Sequence, residues 1–284
     1  LNGNIFWCQG YSEPGSGSDL ASLQTRAELD ESGENYIVNG QKIWTSHAHH
    51  ADWIFALVRT STEGKKQEGI SFLLIDMSTS GLEVKPIISM DGGHYLNEVF
   101  FVDVKVPVTN RIGEENMGWT YAKYLLGHER TGIAGVAKSK RKLEKLKEIA
   151  GLEQDSGEPL IDDPDFKSRV ADVGIKLQAL EITNLRTLSA VSAGKSPGDA
   201  SSILKIRGTE VEQELNELLV WAMGYYAHPY QPGRLFNQQT NMIPVGPDHA
   251  VGLMEERLLR RAASIYGGSN EIQKNIIAKA IMGL

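Results

Sequence analysis

The sequence is poor in cysteine and has no long apolar run. Cys8 is the only cysteine among 284 residues, so an internal disulfide and a cysteine-based metal cage are both excluded. Such sparse cysteine is typical of a reducing compartment, and no apolar run reaches the roughly 18 residues of a membrane-spanning helix. The first residues, LNGNIFWCQG, lack the charged and apolar segments of a secretion signal. We therefore expect a cytoplasmic protein, or one of the mitochondrial matrix if the source is eukaryotic.

Positive charge is also in deficit. The chain has 29 Lys and Arg against 36 Asp and Glu, which gives a formal net charge of −7. This balance does not favour a general nucleic-acid binder, because binding along a phosphate backbone needs a basic surface. With 41% hydrophobic residues, the chain can form one large or two smaller globular domains with cores of their own.

The first part of the chain has the pattern of β-strands. Short runs of alternating polar and apolar residues, separated by Gly, Pro and charged residues, continue to about residue 110. The segment YIVNGQKIW predicts a hairpin with Asn39-Gly40 as a type I′ turn. Trp44 and Ser46 would then share one face of the returning strand. We assign residues 1–110 to an antiparallel β-barrel domain.

The second part of the chain, residues 111–284, has the period of helices. The sequence predicts one long helix over 115–151, and a second that begins with Asp163 as N-cap and Pro164 at its first position. Three further helices complete a predicted α-helical bundle, so the fold class is α+β. The second helix carries one apolar stripe, formed by Phe166, Val170, Val173, Leu177 and Leu180.

Residues 12–22, SEPGSGSDLAS, are rich in glycine and serine. Such a segment can direct backbone N–H groups at a phosphate or at the edge of a flavin ring. An ordinary surface turn between strands has the same composition, so both interpretations stay open. The indole of Trp44 can similarly lie against a flat ligand that the Ser46 hydroxyl binds, although core positions have the same pattern.

Three histidines, His47, His49 and His50, raise the question of a metal site. No carboxylate or further histidine stands at a clear ligand spacing, and strand alternation would put His49 and His50 on opposite faces. The pattern disfavours a metal centre, and we expect none.

A charged run, His128-Glu129-Arg130, stands among apolar and small residues of the first helix. Consecutive helical residues point about 100° apart, so Glu129 and Arg130 face different surroundings. A glutamate turned toward an apolar pocket has a raised pKa, which suits a base that removes a proton near neutral pH. A solvated ion pair on an outer helix face is the alternative.

Near the C-terminus, IYGGSNEIQ places Gly267 and Gly268 between a tyrosine and the start of a helix. The glycines can end one helix while Ser269 caps the next. The free N–H groups and the positive dipole end of that next helix also suit a phosphate. These two interpretations are compatible.

Four segments, in this order, resemble the acyl-CoA dehydrogenase family: CQGYSEPGSGSDLASLQTRA, YIVNGQKIWTS, IGEENMGWTYAKYLLGHERTGIAG and IYGGSNEIQKNIIAKAIMGL. The resemblance covers nearly the whole chain and is strongest in residues 7–133 and 258–284. It implies an FAD-dependent oxidoreductase of lipid metabolism, in which a glutamate takes the α-proton of an acyl-CoA while the β-hydrogen leaves as hydride to flavin N5. It also implies electron-transfer flavoprotein as acceptor, and a homodimer, a homotetramer or a hetero-oligomer with a paralogue.

The resemblance implies roles for individual residues. The residues implied for cofactor binding are Gln9, Tyr11, Ser12, Trp44, Ser46, Ser269 and Glu271. Those implied for substrate binding are Ser18, Arg130, Tyr266 and Gly267. Among the first group, Trp44 would stack near the isoalloxazine ring and Ser46 would bond its edge, while Ser18 of the second group would lie beside the CoA phosphates.

The position of the catalytic base divides this family. Many members carry the glutamate directly after the tyrosine of the last segment, where this chain has Gly267. A subset, including isovaleryl-CoA dehydrogenase, carries it on the long helix after the GEEN segment. Matching that pattern without a gap puts the base on Glu129, and Gly267 leaves open the space that Glu129 needs. The resemblance therefore implies Glu129 as the catalytic residue.

The sequence also departs from the family pattern. The N-terminal helical domain, which covers one side of the acyl and flavin site in the family, is absent, and the segments that usually contact the adenine end of FAD differ, so no residues are assigned there. Two alternatives to a dehydrogenase follow. One is an acyl-CoA oxidase of the same fold, which passes electrons to oxygen, and the other is a non-catalytic or truncated subunit of such a flavoenzyme.

Overall fold

The computed structural model describes residues 3–195, 201–235, 240–280 and 282–284, with the side chains of 127–131 and 133 left out. The chain forms two compact units. The β unit comprises Leu1–Ser89 and Gly93–Leu125, and the helical unit comprises Met90–Gly92 and Leu126–Leu284. In the described part of the chain, none of the helices combines the length and the apolar content of a membrane span.

Seven strands form one sheet in the β unit. They are β1 (Trp7–Gly10), β2 (Arg26–Leu29), β3 (Asn35–Lys42), β4 (Trp53–Arg59), β5 (Ile70–Asp76), β6 (Leu82–Ile88) and β7 (His94–Pro107). The strand order is β1-β4-β2-β3-β7-β6, and β5, which lies outside this order, pairs with β4. The predicted α+β class is confirmed, but the sheet is mixed rather than wholly antiparallel, because β1 and β2 both run parallel to β4.

The predicted hairpin at Asn39-Gly40 is wrong. β3 continues through both residues and pairs with β7, with a bulge between Val38 and Gly40. The Asn39 side chain is used across the sheet, where its Nδ2 donates to Asp103 Oδ1 at 3.0 Å and its Oδ1 accepts from the Asp103 N–H at 2.9 Å. Gly40 is required for a different reason: a Cβ there would lie 2.6 Å from the Cα of Thr25.

The helical unit contains the second half of α1 and all of α2–α7, with a hairpin of two short strands between α2 and α3. The helices are α1 (Gly118–Ile133), α2 (Val136–Leu152), α3 (Pro164–Ser192), α4 (Ser201–Met223), α5 (Pro232–Leu235), α6 (Leu253–Arg260) and α7 (Asn270–Ala280), and the short strands are β8 (Gln154–Asp155) and β9 (Glu158–Pro159). The start of α3 is confirmed, because Asp163 Oδ1 accepts from the Phe166 N–H at 2.7 Å and Pro164 is the first helical residue. The predicted apolar stripe of α3 is buried throughout.

The single long helix predicted over 115–151 is in fact two helices. The chain breaks at Gly135, which has a left-handed φ of 59° and separates α1 from α2. Just before the break, Ala134 packs against α4 so closely that a Cβ on Gly208 would lie 2.7 Å from the Ala134 Cα. Helical periodicity does not report a contact of this kind, so it could not predict the break.

Gly208→Ala is expected to destabilise the protein by about 1–3 kcal/mol, because the added methyl group overlaps backbone atoms that cannot move aside freely. Gly174→Ala in α3 is the matched control. There a Cβ meets only Leu143 Cδ2, at 3.8 Å, so the gain in helix propensity should stabilise the protein by up to about 1 kcal/mol. Urea unfolding measures both changes, and a stabilising Gly208→Ala would contradict the close packing.

Candidate functional site

Tyr11 is fixed in the β unit directly after β1. Its ring is buried and meets Phe55 and Phe72 edge-on, with ring centroids 6.1 and 6.2 Å away. Those two rings are stacked on each other at 5.9 Å, so the aromatic group is rigid. Gln9 and Ser12, on either side of this anchor, are half-buried at the end of the strand.

Trp44 and Ser46 do not lie on a strand, so the prediction that they share a strand face is wrong. β3 ends at Lys42, and Trp44 has a left-handed φ of 60° with 56% of its surface exposed. Past Trp44, the Thr45 N–H donates to the Asn97 carbonyl at 3.0 Å, which re-attaches the chain to β7. A left-handed backbone conformation at a tryptophan costs a free energy on the order of 1–2 kcal/mol, and strain of this kind clusters at functional sites.

An orphaned polar atom lies between these two predicted site residues. The Oγ1 of Thr45 is buried and has no hydrogen-bond partner among the described residues. A buried hydroxyl without a partner costs about 1–3 kcal/mol. An exposed indole, an exposed Ser46 hydroxyl and an orphaned hydroxyl at consecutive positions fit a flat ligand with polar edges, such as a flavin ring.

The segment after β1 and the segment after β3 are held together at one point. The Ile43 N–H donates to the Ser12 carbonyl at 2.9 Å. The buried Lys42 Nζ donates to the Tyr11 carbonyl at 3.2 Å and to Glu13 Oε1 at 2.7 Å. The structure thus brings Tyr11 and Ser12 close to the chain that leads into Trp44.

Glu13 accepts two further hydrogen bonds in this buried position. Its Oε2 accepts from the Gln24 N–H at 2.6 Å, and its Oε1 accepts from the Thr25 N–H at 3.0 Å. Burial raises the pKa of the Glu13 carboxyl, but the charge of Lys42 and these donors outweigh burial and bring the pKa below its ordinary value of 4.5. Burial lowers the pKa of Lys42, against the charge of Glu13, which raises it.

Stability should depend on pH through this pair. Because the pKa of Glu13 is lower in the folded protein than in the unfolded chain, its contribution is complete above the ordinary pKa of 4.5 and is lost as the pH falls through the folded-state pKa. Between about pH 6 and about pH 3, we expect the urea midpoint of the wild type to fall more steeply than that of Glu13→Gln/Lys42→Met. If the urea midpoints of the two proteins fall with pH at the same rate, the protonation of the pair is not linked to stability.

Ser18 lies exposed in the turn that follows Glu13, before a short 3-10 helix at Leu20–Ser22. The same turn carries Asp19, whose Oδ2 accepts from Lys66 Nζ at 3.0 Å on the surface. The segment is therefore exposed around Ser18, whereas Glu13 at its start, Ser16 and Ala21 are buried.

The histidines form a cluster with His94, which the sequence analysis did not place near them. The His49 ring lies 3.9 Å from the rings of both His50 and His94, and is stacked on the latter. Burial lowers the pKa of His49, and the neighbouring imidazoles lower it further. Among the described residues, no three His, Cys, Asp or Glu side chains form a group that could hold a metal ion.

Glu129 and Arg130 occupy the last turns of α1, in the helical unit. The side chains of both residues lie outside the described ones, so their roles stay predictions. The backbone of the turn is helical, as the sequence predicts.

The loop before α7 contains the remaining predicted residues. Gly267 and Gly268 both have positive φ, 65° and 80°, and Tyr266 before them is 45% exposed. The predicted cap is confirmed, because Ser269 Oγ accepts from the Ile272 N–H at 3.3 Å. Glu271 is exposed in the first turn of α7, where its own backbone N–H and the Ser269 hydroxyl lower its pKa.

The sequence analysis did not identify two buried lysines, although a signal exists for the first of them. Lys42 has the same strand phase as the buried Tyr36 and Val38, which predicts an inward side chain that needs a carboxylate. Lys205 of α4 is fully buried, and its Nζ donates to Asn270 Oδ1, at the start of α7, at 2.9 Å. Burial lowers the pKa of Lys205 to about 8.

Comparison with known proteins gives two family matches. The model of the acyl-CoA dehydrogenase middle domain matches residues 8–104, and that of the acyl-CoA dehydrogenase C-terminal domain matches residues 116–282. Among curated proteins, the acyl-CoA dehydrogenase FadE26 of Mycobacterium tuberculosis is 36% identical over 292 residues, which cover 99% of this chain and 69% of the relative. The acyl-CoA dehydrogenase IpdE1 of the same organism is 35% identical over 281 residues, which cover 98% and 66%. This chain spans about two thirds of the length of these relatives.

Solved structures show the same similarity. A chain in the ChsE4-ChsE5 complex from Mycobacterium tuberculosis has a TM-score of 0.83 and 33% identity, and the match covers 99% of this chain and 70% of that one. A chain of the Tcur3481-Tcur3483 steroid ACAD has a TM-score of 0.84 and 28% identity, with 99% and 69% covered.

Proposed function

Because the chain belongs to the acyl-CoA dehydrogenase family, we propose that it binds FAD and oxidises the α,β-bond of an acyl-CoA thioester. The observation that carries this proposal is the strained, exposed Trp44 beside the orphaned Thr45 hydroxyl, held next to Tyr11 and Ser12 by hydrogen bonds. An aromatic face with polar groups at its edge suits a flavin ring.

The predicted site residues have separate roles in the proposed reaction. Glu129 takes the α-proton of the thioester as general base. Trp44 would stack near the flavin ring, and Gln9, Tyr11, Ser12 and Ser46 would line it. When bound, FAD supplies the acceptor for the β-hydrogen, which leaves the substrate as a hydride.

The other predicted site residues are assigned in the same proposal. The α7 N-terminal residues Ser269 and Glu271 contact FAD, and the substrate contacts come from Ser18, Arg130, Tyr266 and Gly267. The positive φ of Gly267 supports a role that only a residue without a side chain fills at low cost.

The partners belong to the proposal as well. We infer an electron-transfer flavoprotein as acceptor, in keeping with curated relatives that are named dehydrogenases. One similar structure is that of a complex named for two proteins. For this reason we propose assembly with a paralogue as one form of the predicted oligomer.

The test is an absorbance spectrum of the full-length protein, recorded before and after anaerobic addition of acyl-CoAs. The panel contains straight-chain, branched and ring-bearing thioesters, and a steroid-derived one because a similar structure is of a steroid ACAD. Oxidised-flavin bands that bleach with one class of thioester support the proposal and identify the substrate class. A protein that purifies without flavin and does not take up added FAD contradicts it. Hydrogen peroxide formed in air would identify an oxidase instead.

A further inference from the structure

One buried ion pair joins three segments of the β unit. Lys42 ends β3 and lies two residues before Trp44, while Glu13 lies two residues after Tyr11. Lys42 is fully buried, and Glu13 is 8% exposed. The ammonium group donates to the Tyr11 carbonyl and to Glu13, whose carboxylate accepts in turn from the N–H groups of residues 24 and 25.

We propose that Glu13 and Lys42 are a positioning pair for the flavin, because they set the distance between the segment 9–12 and the segment 43–46. This inference rests on the proposed function, since both segments are assigned to the flavin there. Neither side chain of the pair is assigned a contact with the flavin or the substrate.

The hydrogen bonds of the pair are directional, and this distinguishes it from an apolar contact. A buried ion pair is often no more stabilising than apolar residues of the same volume. The pair nevertheless satisfies one backbone carbonyl and two backbone N–H groups with fixed geometry. Fixed geometry is what a binding site needs from the residues behind its contact residues.

Two side chains hold the loop between residues 13 and 24: Glu13 joins its ends, and Arg59 donates to the Ala21 and Leu23 carbonyls at 2.7 and 3.3 Å. Glu13 at its start accepts the hydrogen bonds from Gln24 and Thr25 at its end, so one carboxylate closes the loop. At Gly15 and Gly17, in the middle, an added Cβ would meet no atom of the described residues within 4 Å. A change at Glu13 therefore acts on the two ends of the loop, and through Lys42 on the residues that lead into Trp44.

The experiment uses the full-length flavin-loaded protein and the double variant Glu13→Gln/Lys42→Met, which removes both charges and keeps the volume. We expect the variant to fold and to hold flavin with a shifted absorption band. The rate at which an acyl-CoA bleaches the flavin in a single turnover should fall by up to about 100-fold, because a misplacement of about 1 Å has this effect.

The control is Lys66→Met, which removes the exposed ion pair to Asp19 in the same loop. Lys66 is 65% exposed in its side chain, and the substitution should leave band and rate unchanged. A loss in this control as large as that in the double variant would overturn the assignment to the buried pair.

The outcomes separate the inference from the proposed function. A double variant with a lower melting temperature but with the flavin band and bleaching rate of the wild type would make the pair merely structural and overturn the inference. A wild type that never binds flavin would overturn the proposed function, and the inference with it. If the double variant is insoluble, Glu13→Asp decides, because it keeps the charge and shortens the reach to Lys42; an unchanged band and rate there would also overturn the inference.

Discussion

Glu129→Gln is expected to lower the rate of flavin reduction by acyl-CoA by about 10²- to 10⁴-fold, the range that a general base contributes. Glutamine keeps the size of the side chain and loses the ability to accept the proton. Because the α-proton must leave before or with the hydride, the flavin should stay oxidised when substrate is added. Stopped-flow absorbance of the full-length enzyme measures this rate, and titration of substrate binding should show little change.

A second glutamate of the helical unit is the strongest alternative to Glu129 as the general base. Glu255 of α6 is 7% exposed, and its Oε2 has no hydrogen-bond partner among the described residues. Burial raises its pKa, and the charge of Asp91 raises it further, which are properties of an acid–base residue. Glu255→Gln should leave the rate of flavin reduction near that of the wild type. If Glu255→Gln abolishes reduction and Glu129→Gln retains it, the assignment of the base is wrong.

Exposed glutamates provide the matched control for this experiment. Glu148 lies exposed on α2, so Glu148→Gln changes the net charge in the same way without touching a proposed site. Its rate should equal that of the wild type. Full turnover in Glu129→Gln, measured beside this control, would sink the proposed mechanism while leaving the flavin-binding part of the proposal intact.

Phe166→Ala is expected to destabilise the helical unit by about 3–5 kcal/mol, the usual cost of deleting a buried aromatic ring. Phe166 is fully buried in the first turn of α3, and its ring meets that of Trp221 of α4 at 5.4 Å and 69°. The ring thus links the two longest helices at the point where α3 begins. Urea unfolding followed by far-ultraviolet circular dichroism measures the loss.

Phe166→Leu is the control for this cavity. Leucine keeps most of the apolar volume, so the loss should stay below about 1.5 kcal/mol. The backbone N–H at position 166 donates to Asp163 in both variants, so the helix cap is unaffected. Equal losses for Ala and Leu would show that the ring edge, rather than the filled volume, is what stabilises the contact.

The candidate site could be proposed from the sequence only where a short segment carries its own chemistry. Three features can be read directly from the sequence: the SEPGSGSD segment, Trp44 and the two glycines before α7. Their order is part of the resemblance to the family. The ion pair of Glu13 and Lys42 was not predicted, because its two residues are 29 positions apart and only the packing of the sheet brings their side chains together.

The sequence by itself determined the α+β class, the capped start of α3 with its apolar stripe, and the cap at Ser269. Each of these features depends on a pattern within a continuous segment, namely strand alternation, a helical stripe or a cap, so local physical chemistry decides them. The tertiary structure alone decided that Asn39-Gly40 lies inside a strand, that Gly135 divides a helical sequence, and that Lys42 pairs with Glu13. Each of these depends on a partner distant in sequence — Asp103, Gly208 and Glu13, respectively — and a contact with a distant residue outweighs a local preference of about 1 kcal/mol.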